Sequence, residues 1–142
     1  MRFTPFELEV LESILWQIEG YKNGRVTERV TTRILRATLR RIKPRLIARS
    51  ESAENSKHVI DHAVPVNTLC QRILNTPDLD RAKLEGILHE WLVCAQLTEA
   101  EHDEVLPSHN LQSEMPKDWD NKDPLARYKA AGIRFKDLRD GI

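Results

Sequence analysis

The chain has 142 residues, 40% of them hydrophobic, and its 22 basic side chains balance 22 acidic ones. It is long enough for one domain with its own core and too apolar for a disordered segment. No apolar run approaches the roughly 18 residues that a bilayer span needs. The zero total hides an asymmetry: residues 21 to 50 hold ten Lys or Arg against one acid (+9), and residues 1 to 20 hold one Arg against four Glu (−3), so residues 51 to 142 carry −6.

The chain opens with acids early and shows no apolar signal segment, and Cys70 and Cys94 lack CxxC spacing. Both features point to a cytoplasmic protein whose cysteines are core thiols. Thr4, Pro5 and Glu7 spell a capping box with proline at the first helical position. Phe6, Val10, Leu11, Ile14, Leu15 and Ile18 follow at helical spacing, and Gly20 offers a stop.

"GRVTERVTTRILRATLRRIK", residues 24 to 43, reads as a second helix that Pro44 ends. At about 100° per residue, Arg25, Arg29, Arg33, Arg36, Arg40 and Lys43 fall within roughly an 80° sector. Val26, Val30, Ile34, Leu35, Leu39 and Ile42 fill much of the rest and are expected to pack. Cations in such a line can track the phosphates of a nucleic acid. They also suit an acidic protein surface, or a solvated face paired with acids of the same chain. No aromatic residues interleave with them, so stacking on single strands is not indicated.

A polar linker over 48 to 57 leads to "KHVIDHAV", residues 57 to 64, whose alternation reads as a strand. Helical segments over 65 to 75 and 76 to 90 follow, the second with Thr76 as cap and Pro77 at its first position. "WLVCAQL", residues 91 to 97, reads as a buried strand. "TEAE", residues 98 to 101, is a capping box opening a short helix expected to stop before Pro107. A long irregular stretch covers 107 to 124; the segment over 111 to 128, with Met115, Trp119 and Tyr128, reads as a strap over the core or an interaction surface. "DPLARYKAAG" closes the pattern with Asp123 as cap and Gly132 as terminator. The expected fold is mainly α: one α-rich domain over 1–142, with five or six helices and a small two-stranded sheet around 57–64 and 91–97. Its basic helical part is 1–50, and its acidic-leaning part is 51–142.

His58, Asp61 and His62 stand within five residues, a grouping suited to acid–base work or to a divalent ion. It suits equally a hydrogen-bonded junction at the start of a helix, with Pro65 at the first helical position. "DHAVP", residues 61 to 65, resembles the DH-x-x-P opening of HNH-type (ββα-metal) endonucleases, in which a strand, a second strand and a helix assemble one site. The order "KHVIDH", "WLVCAQL", "TEAEHDEVL" over 57–106 follows that plan, with two helical segments between the strands. The resemblance implies His62 as the base acting on water, and Asp61 and His102 as ligands of Mg²⁺ or Mn²⁺.

The leading expectation is therefore a divalent-metal-dependent, HNH-like nuclease. Its catalytic residue would be His62, its metal ligands Asp61 and His102, and its nucleic-acid contacts the cations from Arg25 to Lys43. Two other classes stay open. One is a non-enzymatic protein that binds nucleic acid or an acidic partner through the same cations. The other is a small interaction or inhibitor protein. No membrane partner is expected.

Overall fold

A computed structural model describes residues 2–53 and 57–139. The chain folds as two compact units, each built from two stretches of sequence: Met1–Lys43 with Val66–His89, and Pro44–Pro65 with Glu90–Ile142.

The first unit is helical, with α1 (Pro5–Lys22), α2 (Glu28–Leu39), α3 (Val66–Asn75) and α4 (Arg81–Trp91, its last two residues in the second unit). The Thr4–Glu7 capping box forms in both directions, at 3.0 and 3.1 Å. Glu7 also accepts the backbone N–H of Lys43 at 2.8 Å, so one buried carboxylate anchors the start of α1 and the chain beyond α2. The helix passes Gly20 and stops at Gly24, whose φ of 78° suits the left-handed closing position. Gly24 N–H bonds Tyr21 O and Arg25 N–H bonds Gly20 O, the two bonds of a Schellman stop.

α2 is shorter than the span of 24 to 43 expected from its pattern. Thr27 caps it by accepting Val30 N–H at 3.3 Å, and the chain turns out of the helix after Leu39, well before Pro44. Arg25 and Lys43 therefore lie outside it. α4 begins later than Thr76 would place it. Asp80 accepts Lys83 N–H at 2.8 Å, while the Thr76 hydroxyl is spent on Arg72 O at 2.6 Å and Asp78 takes a φ of 51°.

The second unit corrects the expected fold class. The fold is α+β, because the expected two-stranded sheet is a four-stranded mixed one. Its strands are β1 (Arg45–Ser50), β2 (His58–His62), β3 (Val93–Thr98) and β4 (Phe135–Asp137), in the order β2-β3-β1-β4. β2 runs antiparallel to β3, β3 parallel to β1, and β1 antiparallel to β4. β3, an uninterrupted apolar run, lies between two neighbours, as its composition demands. The polar linker expected over 48–57 begins inside β1 and continues as a 3-10 turn, Glu51–Ala53; residues 54–56 lie outside the described ones.

One face of the sheet carries the unit's core: Ile47, Ala48, Ala95, Leu97, Leu106, Leu111, Leu125, Tyr128 and Ile133 are all buried. After β3 come a π-helical turn (Glu101–Val105) and α5 (Leu106–Ser108). The helical path thus continues through Pro107 rather than stopping before it, since the wide turn precedes the proline that lacks an N–H. α6 (Ala126–Ala130) begins later than the expected Asp123 cap: Asp123 accepts Leu125 N–H at 2.9 Å in the turn before it, and Leu125 takes the capping position without a side-chain bond. It ends in a second Schellman stop at Gly132, with φ 73°.

Candidate active site

β2 is an edge strand whose side chains alternate between faces. Val59 and Asp61 turn toward the core, whereas His58, Ile60 and His62 share the other side. A carboxylate among apolar neighbours is costly without partners. Asp61, its side chain 9% exposed, has two strong ones on Oδ2: Arg127 Nη1 donates at 2.9 Å and the Tyr128 hydroxyl at 2.7 Å. Burial first, and the Asp61 carboxylate second, push the Tyr128 phenol well above its usual range. It therefore acts as a fixed donor.

Arg127 is itself almost fully buried, at 1% exposure. Its guanidinium also bonds Leu111 O at 2.8 Å, Gln112 O at 3.1 Å, His62 O at 2.8 Å and Ala63 O at 3.2 Å. It therefore ties the end of β2 to the irregular stretch after α5. That stretch does lie as a strap: Leu111 is buried, and the Trp119 ring packs against Trp91 with centroids 5.0 Å apart and planes tilted by 45°.

The other carboxylate oxygen faces His102. The Thr98–Glu101 capping box forms as its spacing predicts, at 2.8 and 3.1 Å, and starts the helical path at the end of β3. On the π-helical turn that follows, His102 Nε2 stands 3.7 Å from Asp61 Oδ1, and its side chain is 42% exposed. The antiparallel pair and the helical turn after it thus bring together the two residues expected as metal ligands. His102 Nδ1 lies 2.7 Å from Asp103 Oδ1. A carboxylate only accepts, so Nδ1 carries the hydrogen in that contact. Nε2 then either bears a second proton or turns a lone pair toward the Asp61 oxygen.

The distance of 3.7 Å is too long for a hydrogen bond. It is short enough for one cation to reach both atoms at about 2.1 Å each. Asp103 on the far ring nitrogen is the kind of outer carboxylate that orients a ligating histidine. Among the described residues no group of three or more His, Cys, Asp or Glu side chains is placed to hold a metal. Two protein donors suit a hard cation that keeps most of its shell as water and phosphate oxygens, and they do not suit a closed structural zinc site.

His62, expected as the base, is the last residue of β2, half-buried, and directed by strand alternation to the opposite face from Asp61. Its backbone oxygen joins the Arg127 network. The residues that sequence reasoning missed here are Arg127, Tyr128 and Asp103. A buried arginine within a five-residue helix leaves no periodic signal, although Leu125, Tyr128 and Ala131 mark the inward side around it.

In the first unit, Arg29 and Arg33 project from α2 exposed, Arg36 is half-buried, and Arg40 is exposed at the helix end. Arg25 and Lys43 are exposed but lie beyond the two ends, so the helix itself presents only part of the expected stripe. The apolar part of the pattern departs from expectation. Leu35, Leu39 and Ile42 are buried, but Val30 and Ile34 stand 46% and 48% exposed. Both cysteines are buried and reduced, and burial pushes the Cys70 thiol up to about 11. No helix among the described residues is long and apolar enough to cross a membrane.

No protein-family model matches the chain, and no curated protein or solved structure matches it.

Proposed function

We propose that this protein is a divalent-cation-dependent nuclease whose site is built on the end of β2. The observation that carries the reading is the 3.7 Å approach of His102 Nε2 to Asp61 Oδ1 across an antiparallel strand pair and the helical turn after it. In this reading Asp61 and His102 hold Mg²⁺ or Mn²⁺. The cation supplies positive charge to the scissile phosphate and its leaving oxygen. Arg127 and Tyr128 occupy Oδ2, so Oδ1 is the oxygen directed to the site. Asp103 fixes the ring of His102.

His62, on the opposite face of β2 from Asp61, lies outside this site, and the cation would supply the acidity that activates the attacking water. The cations from Arg25 through Lys43 grip the nucleic acid backbone by charge alone, which makes binding steeply dependent on salt. A cytoplasmic setting belongs to the same reading, in keeping with two buried cysteines that are not joined in a disulfide.

The test is nicking of a supercoiled plasmid by the full chain with Mg²⁺ or Mn²⁺. His102→Ala abolishes nicking while leaving the circular dichroism spectrum unchanged. Absence of nicking across several divalent cations overturns the reading. A second reading, a non-enzymatic binder, is favoured by the exposure of Arg29, Arg33 and Arg40, which needs no site at Asp61. Salt-dependent nucleic acid binding without cleavage is its signature.

A further inference from the structure

Six large hydrophobic side chains among the described residues are exposed, and five of them lie on α1 and α2 or at their ends: Phe6 (56%), Leu8 (37%), Trp16 (73%), Val30 (46%) and Ile34 (48%). Such clustering marks an association surface, whereas single exposed hydrophobics do not. At about 100° per residue, Glu12, Trp16 and Glu9 succeed one another across the outer side of α1. Phe6, Ser13 and Gln17 form its flank toward α2. There Gln17 Nε2 donates to Thr38 Oγ1 at 3.0 Å, which fixes how the two helices meet.

Continuing across α2 come Ile34, then Val30 and Ala37, and then the exposed arginines Arg33, Arg40 and Arg29. A shallow hollow of about 470 Å³ opens on this side of α2, lined by Val30, Arg33, Ile34, Ala37, Thr38 and Arg41. One surface therefore carries an acidic, aromatic side and a cationic, aliphatic side. Glu9, Glu12 and Glu19 are exposed on α1, whereas Arg29, Arg33, Arg40 and Arg41 are exposed on α2 or just beyond its end.

We propose that this surface binds a second copy of the chain in a two-fold contact, with Trp16 of each copy seated in the Val30–Ile34–Ala37 hollow of the other. Two-fold pairing matches each side of the surface to its complement at once, which a single unrelated partner need not do. It covers the exposed indole, the residue type most enriched where interfaces are held. It also brings Glu9 of one copy to Arg33 and Arg41 of the other, a pairing that fixes register. A nucleic acid fits the hollow less well, because Glu9 beside Trp16 repels phosphate, while Glu12 is held by Arg81 at 2.9 Å. The inference does not rest on the nuclease reading and survives its failure, although it assigns Arg33 to the partner copy and leaves Arg25, Arg29, Arg40 and Lys43 to phosphates.

Sedimentation equilibrium of the full chain tests it. The wild type shows a reversible monomer–dimer equilibrium. Trp16→Ala and Ile34→Glu, both at exposed positions, each weaken association at least about tenfold. Glu9→Arg and Arg33→Glu also weaken it singly, and together in one chain they restore it, with circular dichroism confirming the fold of each variant. A wild type that stays monomeric at about 100 µM, where a specific interface of ordinary size is already populated, overturns the proposal. So does a dimer indifferent to all four substitutions, or a monomer whose Trp16→Ala variant loses only nucleic acid binding.

Discussion

Asp61 and Arg127 meet at 2.9 Å in the interior of the sheet unit, the carboxylate 9% and the guanidinium 1% exposed. The pair has two consequences. It neutralises a charge that the core face of β2 could not otherwise hold. It also consumes one carboxylate oxygen, leaving the other turned to His102.

Breaking the pair from one side leaves a buried charge uncompensated. Asp61→Ala is expected to lower stability by about 3–5 kcal/mol, read by urea denaturation. Arg127→Met loses a comparable amount, because four backbone carbonyls lose their shared donor along with the carboxylate. Asp61→Leu combined with Arg127→Met is expected to cost clearly less than the sum of the single changes. Strictly additive losses would show that the two residues act independently.

The cap at the start of α1 carries its own pH signature. The Thr4 backbone N–H holds the Glu7 carboxyl below its ordinary range, against the opposing pull of burial, and the Lys43 backbone N–H adds to the effect. A depressed folded value stabilises the fold at pH above the unfolded value, and that contribution fades as pH falls through the folded one. Glu7→Gln is expected to cost about 0.5–2 kcal/mol at pH 7, with the gap to wild type closing in acid below the ordinary Glu range of about 4.3. A gap independent of pH would assign the whole effect to shape.

Much of the local structure could be read directly from residue order, because its causes lie within four or five positions. Both capping boxes formed, and Gly132 closes α6 as its position indicated. Strands β2 and β3 appeared within two residues of the alternating and apolar runs that announced them. β1 was hidden because "RLIARS" continues the cationic spacing of the preceding helix, so its strand character exists only through pairing with β3 and β4. β4, three residues long, has no period to detect. The approach of Asp61 to His102 and the place of Arg127 both arise from tertiary packing, which no local spacing shows.

The thiols offer a simple check on burial. With Cys70 fully enclosed and its proton held to about 11, and Cys94 also buried, neither is expected to react appreciably with a thiol reagent at pH 8 in the native protein. Both should react promptly in denaturant. Fast native labelling of one thiol would show that its surroundings open.

The central claim is that Asp61 and His102 together form a divalent-cation site. Electron paramagnetic resonance of Mn²⁺ titrated into the full chain measures this directly, because bound Mn²⁺ leaves the free-ion signal. The account expects one site per chain, weakened at least about tenfold by His102→Ala at an unchanged fold. Equal Mn²⁺ binding by wild type and His102→Ala, or none by either, would contradict it.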